Sequence, residues 1–120
     1  MNSRAKGKRG ELEACKALSA ALRCGVERTS QYCGKNGTAD LRIEALPLLH
    51  VEVKVRGEPI TPSQGIQFLE QATDDSSLVV GTVPITVFRW NNMTRYAYSG
   101  WLDELEKFHR MLAEHEAWKR

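Results

Sequence analysis

The chain contains 120 residues, of which 42% are hydrophobic and 27% are charged, and its formal net charge is +2. This composition is typical of one globular domain spanning residues 1–120, and the small net charge by itself indicates no particular partner. No apolar run approaches the ~20 residues of a membrane helix, and the N-terminus lacks the apolar stretch of a signal peptide. We therefore expect a cytoplasmic protein with no membrane contact.

The first ten residues are basic and contain no acid. We expect residues 1–8 to form a flexible arm, which is typical either of nucleic-acid binding or of a solvated tail. Behind this arm, apolar residues at helical spacing predict a helix from about Arg9 to Leu22. Its predicted buried stripe consists of Leu12, Cys15, Leu18 and Leu22.

Three strands are predicted next. A short strand near Val26 to Ser30 leads into a glycine-containing loop, and the alternating segment ADLRIEAL follows that loop. The segment LLHVEVKVRG, residues 48–57, alternates strictly between apolar and polar residues. Because Pro47 separates these two alternating segments, we expect them to form a hairpin.

The second half of the chain predicts a helix in TPSQGIQFLEQAT, capped by Thr61 or Ser63, with Ile66, Leu69 and Ala72 facing the core. A buried strand in SLVVGT and a hairpin of ITVFRW with TRYAYS follow. A last helix begins after Ser99, with an apolar stripe of Leu102, Leu105, Phe108 (or His109) and Leu112. The fold class is therefore α/β, a mixed sheet flanked by helices in the order α-β-β-β-α-β-β-β-α.

The polar face of LLHVEVKVRG carries the candidate chemistry. Side chains two apart on a strand share a face, so Glu52 and Lys54 point the same way. If the preceding strand pairs with this one, Asp40 comes close to Glu52, and two such carboxylates repel unless a cation lies between them. Mg²⁺, or Mn²⁺ in its place, suits this oxygen-rich site, and the backbone carbonyl of Val53 is a further candidate ligand.

Lys54 would hold the attacking water, lower the pKa of that water or stabilise charge on a phosphodiester, and Glu11 would complete the metal shell or hold a metal-bound water. The alternative for an isolated Glu-x-Lys triplet is an ordinary exposed strand face.

The cysteines form no CxxC pair and the histidines show no zinc-type spacing, so we interpret both sets as structural: Cys15, Cys24, Cys33, His50, His109 and His115.

The segments GKRGELEACKAL, RTSQYCGKNGTADLRIE and LHVEVKVRG resemble the PD-(D/E)xK nuclease superfamily. The likeness is greatest to archaeal-type Holliday junction resolvases, which phages also encode. It implies a restriction-endonuclease-like core and rests on matched positions at Gly7, Glu11, Arg28, Ser30, Gly34, Asp40 and Glu52 to Val55. The segment ITPSQGIQFLEQA is similar to virus-type replication-repair nucleases, and this secondary likeness implies a catalytic role for Gln64, with an exposed residue of the first helical turn as the alternative.

The resemblance implies a Mg²⁺-dependent endonuclease that acts as a homodimer on branched double-stranded DNA, above all on four-way junctions. It implies catalytic roles for Asp40, Glu52, Lys54, Glu11, Gln64 and Ser30. Candidate interface residues on the last helix are Trp101, Met111 and Trp118, with a core position as the alternative. The DNA track would comprise Arg4, Lys6, Lys8, Arg9, Arg28, Lys35, Arg42 and Arg56, with simple solvation of part of this set as the alternative.

Two other functions remain open from the sequence. One is a flap, nicking or restriction-like DNA endonuclease on the same core. The other is a DNA-binding or assembly module without catalysis, although such a module would not need two carboxylates facing DNA phosphate.

Overall fold

The structure is a computed structural model that describes the backbone of residues 3–29 and 39–119 and the side chains of residues 7–29 and 39–116. The elements in chain order are α1 (Ser3–Leu22), β1 (Val26–Arg28), β2 (Leu41–Ile43), β3 (Leu49–Arg56), α2 (Pro62–Ser76), β4 (Val83–Trp90), β5 (Ala97–Gly100), a 3₁₀ turn (Leu102–Glu104) and α3 (Leu105–Lys119). The described part of the chain is thus an α/β fold of three helices and one sheet.

The sheet has the strand order β1-β2-β3-β4-β5. The first three strands form an antiparallel meander, β4 runs parallel to β3, and β5 returns antiparallel to β4. A parallel pair needs a long crossover, and α2 supplies it. The predicted mixed sheet and both predicted hairpins are confirmed. The β4–β5 connection turns at Asn92, whose φ of 76° is a left-handed value that asparagine tolerates.

Helices cover both faces of the central strand β3. Apolar residues of α1 and α3 pack on the face that carries Val51 and belong to one core cluster with it. On this side, Gly10 allows a close approach, because a Cβ there would lie 2.7 Å from the Cγ2 atom of Val55. On the opposite face, α2 buries Leu69 and Ala72. The polar face of β3 is therefore covered by a helix.

The predicted strand in SLVVGT is wrong. Helix α2 continues to Ser76, and residues 77–82 form a turn that leads directly into β4. Backbone N–H groups of Ser77 and Val79 donate to carbonyls of the last helical turn, so this segment closes the helix. Val80 is 93% exposed. A β-branched run was therefore mistaken for a buried strand, and the observed order is α-β-β-β-α-β-β-α.

Three helix predictions were wrong in boundary or phase. Helix α1 begins at Ser3, so most of the predicted arm is helical. The predicted buried positions Leu12, Ile66, Leu102 and Leu105 are exposed. In α1 the small residue Ala14 faces the sheet, which suits the close approach at Gly10. At the other end, the 3₁₀ turn precedes α3, and the core contacts begin only at Phe108.

None of the described helices combines the length and the apolar character required to cross a bilayer. The thiols of Cys15 and Cys24 are free, as expected for structural cysteines, and burial raises the pKa of Cys15. Cys33 lies outside the described residues.

Candidate active site

Asp40 lies where β2 leaves its pairing with β3. Its backbone N–H donates to the carbonyl of Val51 over 3.0 Å, one residue before the Leu41–Val51 pair. Its carboxylate oxygen Oδ2 accepts the backbone N–H of Val53 at 2.7 Å. The side chain thus occupies a place in the ladder that a strand carbonyl would otherwise fill, and it is held at Val53, the residue between Glu52 and Lys54 in sequence. The predicted approach of Asp40 to the Glu-x-Lys triplet is present.

The carboxylates of this cluster repel one another. Glu52 is 8% exposed and Glu11 is 6% exposed. Burial, followed by the charge of Glu52, raises the pKa of Asp40 to about 8, with a further contribution from Glu11, while the N–H of Val53 acts in the opposite direction. A site in which one carboxylate holds its proton near neutral pH is a site that favours a cation.

Glu11 is the acid of α1 that faces this cluster. The Nε atom of Arg28 donates to its Oε1 atom at 2.8 Å. Glu13 lies elsewhere, because its carboxylate accepts the hydroxyl of Tyr96 at 3.1 Å. Of these two acids of α1, Glu11 is therefore the one whose charge acts on Asp40. Arg28, predicted to bind DNA, is instead engaged with Glu11.

Lys54 lies on the same face of β3 as Glu52, two residues further along. Its Nζ atom is 5.1 Å from the centre of the Phe68 ring, and the guanidinium of Arg56 is at the same distance. Contacts of this kind orient a cation while its charge remains available. Among the described residues, Lys54 forms no ion pair. A half-buried lysine on the strand face of Glu52 is suited to hold a water molecule or an anionic phosphate oxygen.

The donor set fits a hard cation. Asp40 and Glu52 offer carboxylate oxygens, and Glu11 is close enough for its charge to act on Asp40. The N–H and the C=O of one strand residue point toward the same neighbouring strand, so the carbonyl of Val53 lies on the side of Asp40. Oxygen ligands of this type are those that Mg²⁺ and Mn²⁺ prefer.

Gln64 has a structural partner. Its side-chain oxygen accepts the backbone N–H of Thr61, and its own N–H donates to the hydroxyl of Thr61. This capping box closes the first turn of α2 and confirms Thr61 as the cap, with Pro62 in the first turn. The side-chain amide of Gln64 therefore stabilises the first turn of α2.

The predicted DNA-binding residues occupy several settings. Lys8 and Arg9 are exposed on α1, and Arg56 is exposed at the end of β3. Arg42 is exposed but forms an ion pair with Glu27 across β1 and β2. The side chains of Arg4, Lys6 and Lys35, together with Ser30, lie outside the described residues.

Two residues near Glu52 were missed as site candidates. The Nε2 atom of His50 lies 2.8 Å from Oε1 of Glu52, and both side chains are buried. Asp75 of α2 completes a group in which one potential ligand atom from each residue lies within 4.8 Å of the others. The position of His50, two residues before Glu52 on one strand face, was a signal in the sequence. The position of Asp75 required knowledge of where α2 docks.

Comparisons with known proteins give no support for any function. The chain matches no protein family, no curated protein and no solved structure. The chemistry of the site is therefore inferred from its own residues.

Proposed function

We propose that this chain is a Mg²⁺-dependent endonuclease that hydrolyses phosphodiester bonds in branched DNA, with four-way junctions as its main substrate. The observation that carries the proposal is the hydrogen bond from the Val53 N–H to Asp40, which joins the aspartate to the Glu-x-Lys triplet. Asp40 thus adjoins the segment of β3 that carries Glu52 and Lys54, and the charge of Glu11 also acts on Asp40. The resemblance to the PD-(D/E)xK superfamily supports the same proposal through these same residues.

Asp40, Glu52, Glu11 and the carbonyl of Val53 would hold Mg²⁺. When bound, the ion supplies Lewis-acid stabilisation of the charge that develops on the phosphodiester. Without a cation, Asp40 keeps its proton up to a pH of about 8 because burial and Glu52 disfavour its ionised form. A bound cation would favour the ionised form of Asp40 and offset negative charge that would otherwise repel DNA.

Lys54 would orient the attacking water and stabilise negative charge on the phosphate oxygens. Its ammonium is held on the site face by the Phe68 ring rather than by a carboxylate partner. Positioned charge of this kind acts more strongly in a partly dry site than in water. The ion pair of Arg28 with Glu11 would hold that carboxylate toward Asp40.

DNA binding would rest on phosphate contacts from exposed basic side chains, among them Lys8, Arg9 and Arg56. Such contacts give affinity and salt dependence, whereas the geometry of the branch selects the substrate.

A homodimer belongs to the same proposal, because paired nicks across a junction require two sites. Trp101 is not a strong interface candidate, since its indole N–H donates to Thr73 at 2.7 Å. Met111 packs against the core.

One assay tests the proposal. The protein is incubated with end-labelled four-way junction, flap and linear duplex, each with Mg²⁺ and with a chelator. Symmetric nicks on the junction alone are expected. Preferential cutting of the flap or the duplex would support the second endonuclease function instead. Binding without cleavage in Mg²⁺ and in Mn²⁺ would refute the enzyme. Light scattering of the free protein and of its junction complex tests the homodimer.

Variants then tie cleavage to the site. Glu52→Gln is expected to abolish cleavage and preserve junction binding, whereas Glu70→Gln, at an exposed position of α2, should leave both unchanged. Lys54→Ala is expected to lower the single-turnover rate by at least about 10²-fold, on the scale of a lost charge-stabilising donor. Lys107→Ala, at a half-buried lysine of α3, is its control. Equal losses in a variant and its control would contradict the assignment.

A further inference from the structure

A second group of potential metal ligands shares Glu52 with the Asp40 site but includes neither Asp40 nor Glu11. His50 and Glu52 project from β3 toward α2, and Asp75 of α2 faces them. Their ligand atoms lie within 4.8 Å of one another. His50 and Glu52 are 6% and 8% exposed, so two of the three groups are shielded from water. The group therefore combines an imidazole with two carboxylates in a largely buried place.

Thr86 gives an independent indication of a bound group at this place. It is the residue of β4 paired with Glu52, and its side chain lies on the same face of the sheet. Its hydroxyl is buried and has no hydrogen-bond partner within the described part of the chain, and Thr86 as a whole is 1% exposed. A buried hydroxyl without a partner is costly, and such a group usually indicates a missing water or ligand.

The local charge also favours a cation. Asp75 lies in the last turn of α2, where the carbonyl ends of the helix already carry partial negative charge, and this turn contains no basic residue. The carboxylate of Glu52 adds to the negative potential. A hydrogen bond between His50 and Glu52 accounts for those two residues, but it leaves both Asp75 and the Thr86 hydroxyl unexplained.

We propose that His50, Glu52 and Asp75 bind a divalent transition-metal ion, Zn²⁺ or Mn²⁺. One imidazole nitrogen with two carboxylate oxygens suits these ions, and a site with three protein ligands leaves a position for water. Ligand atoms around tetrahedral zinc are about 3.3 Å apart, so a small rotation of the half-buried Asp75 side chain completes the set. The Thr86 hydroxyl then hydrogen-bonds the water on the metal.

This inference does not depend on the nuclease function, although Glu52 belongs to both groups. Asp40 takes part only in the proposed Mg²⁺ site, and His50 and Asp75 take part only in the transition-metal site. Single substitutions at these outer positions therefore separate the two proposals.

Calorimetric titration of tag-free, metal-stripped protein with Zn²⁺ and with Mn²⁺ tests the site. One Zn²⁺ ion per chain is expected, with Mg²⁺ bound more weakly at this position, whereas Mn²⁺ also suits the Asp40 site and is compared in the Asp40→Asn variant. His50→Gln and Asp75→Asn should each weaken Zn²⁺ binding at least tenfold. Exposed residues of the same type supply the controls, His109→Gln and Asp74→Asn, and these should retain the affinity within threefold. Asp40→Asn should also retain it, even though Mg²⁺-dependent cleavage is lost.

Imidazole NMR of the unsubstituted protein provides a readout that no folding defect can affect. The chain has three histidines, so their ring signals are readily assigned. One equivalent of Zn²⁺ is expected to shift the Nε2 resonance of His50 and to leave His109 and His115 unchanged. The absence of stoichiometric binding, shifts confined to the other two rings, or an affinity unaffected by His50→Gln and Asp75→Asn would each overturn the proposal.

Discussion

Asp40→Asn should stabilise the metal-free protein, and the stabilisation should grow with pH. The pKa of Asp40 rises from 3.8 in the unfolded chain to about 8 in the folded one. Below pH 4 Asp40 is protonated in both the folded and the unfolded state, so the buried carboxyl does not yet lower the free energy of unfolding. Between pH 4 and 8 only the folded state keeps the proton, so the free energy of unfolding of the natural protein falls as pH rises. Asparagine does not titrate and can still accept the N–H of Val53.

The size of the effect follows from the shift. About four pKa units at about 1.4 kcal/mol each set an upper limit of about 6 kcal/mol at pH 8. Relaxation and the effective dielectric of real proteins reduce such values, so we expect a gain of about 1–3 kcal/mol at pH 8 and close to none at pH 4. The exposed Asp74→Asn should show no comparable growth with pH.

Urea unfolding in the presence of a chelator, at unit steps from pH 4 to 8, measures this difference. A difference in the free energy of unfolding between Asp40→Asn and the natural protein that does not change with pH would refute the electrostatic reasoning. A variant that is less stable than the natural protein at pH 8 would refute it as well. Replacing the chelator with Mg²⁺ should raise the stability of the natural protein by mass action. Mg²⁺ should raise the free energy of unfolding of the Asp40→Asn variant much less.

Two further predictions concern the packing of α1 and the start of α2. Gly10→Ala places a Cβ 2.7 Å from Val55, so it should lower the free energy of unfolding in urea by about 1–3 kcal/mol, and Val55→Ala should restore part of the loss. Gly7→Ala has open space and should raise stability by up to about 1 kcal/mol. Thr61→Ala removes the capping box and should cost about 1 kcal/mol by the same measurement. Its neighbour Ser63→Ala should change stability by less than about 0.5 kcal/mol, and a cost equal to that of Thr61→Ala would contradict the capping account.

The part of the site that sequence could predict is the part held by local pairing. Alternation assigned Glu52 and Lys54 to one strand face, and a hairpin is short enough that its pairing is nearly determined by the turn at Pro47. Asp40 therefore had to lie close to Glu52. The detail that could not be predicted is the side-chain acceptance of the Val53 N–H, because it depends on β2 leaving the ladder at that residue.

Periodicity gave the spacing of apolar residues but not their rotational phase. In α1 the close contact at Gly10 favours small residues against the sheet, so Ala14 is buried and Leu12 is 46% exposed. In the last helix, the 3₁₀ turn shifts the start, and Leu102 becomes 83% exposed. These outcomes depend on how the helices dock, and a single sequence contains no direct measure of docking.

The same limit explains why Asp75 was missed. Phe68 lies against Lys54 and Arg56, and Asp75, about two turns later in α2, lies against His50. The helix therefore runs back along β3, opposite to the direction of the strand. Only this direction brings a carboxylate from the end of α2 to the start of β3. A helix crossing at another angle would leave His50 and Glu52 as an isolated hydrogen-bonded pair.

Glu52 belongs to both proposed metal sites, so substitution of Glu52 cannot show which of the two sites supports cleavage. Loss of cleavage in Glu52→Gln is expected whether Glu52 serves the Asp40 side, the His50 side or both. Asp40→Asn and His50→Gln each remove one side only. If His50→Gln abolishes zinc binding and leaves cleavage in Mg²⁺ intact, the transition-metal ion has a role outside the chemical step. If cleavage falls as well, His50 orients Glu52 for both sites.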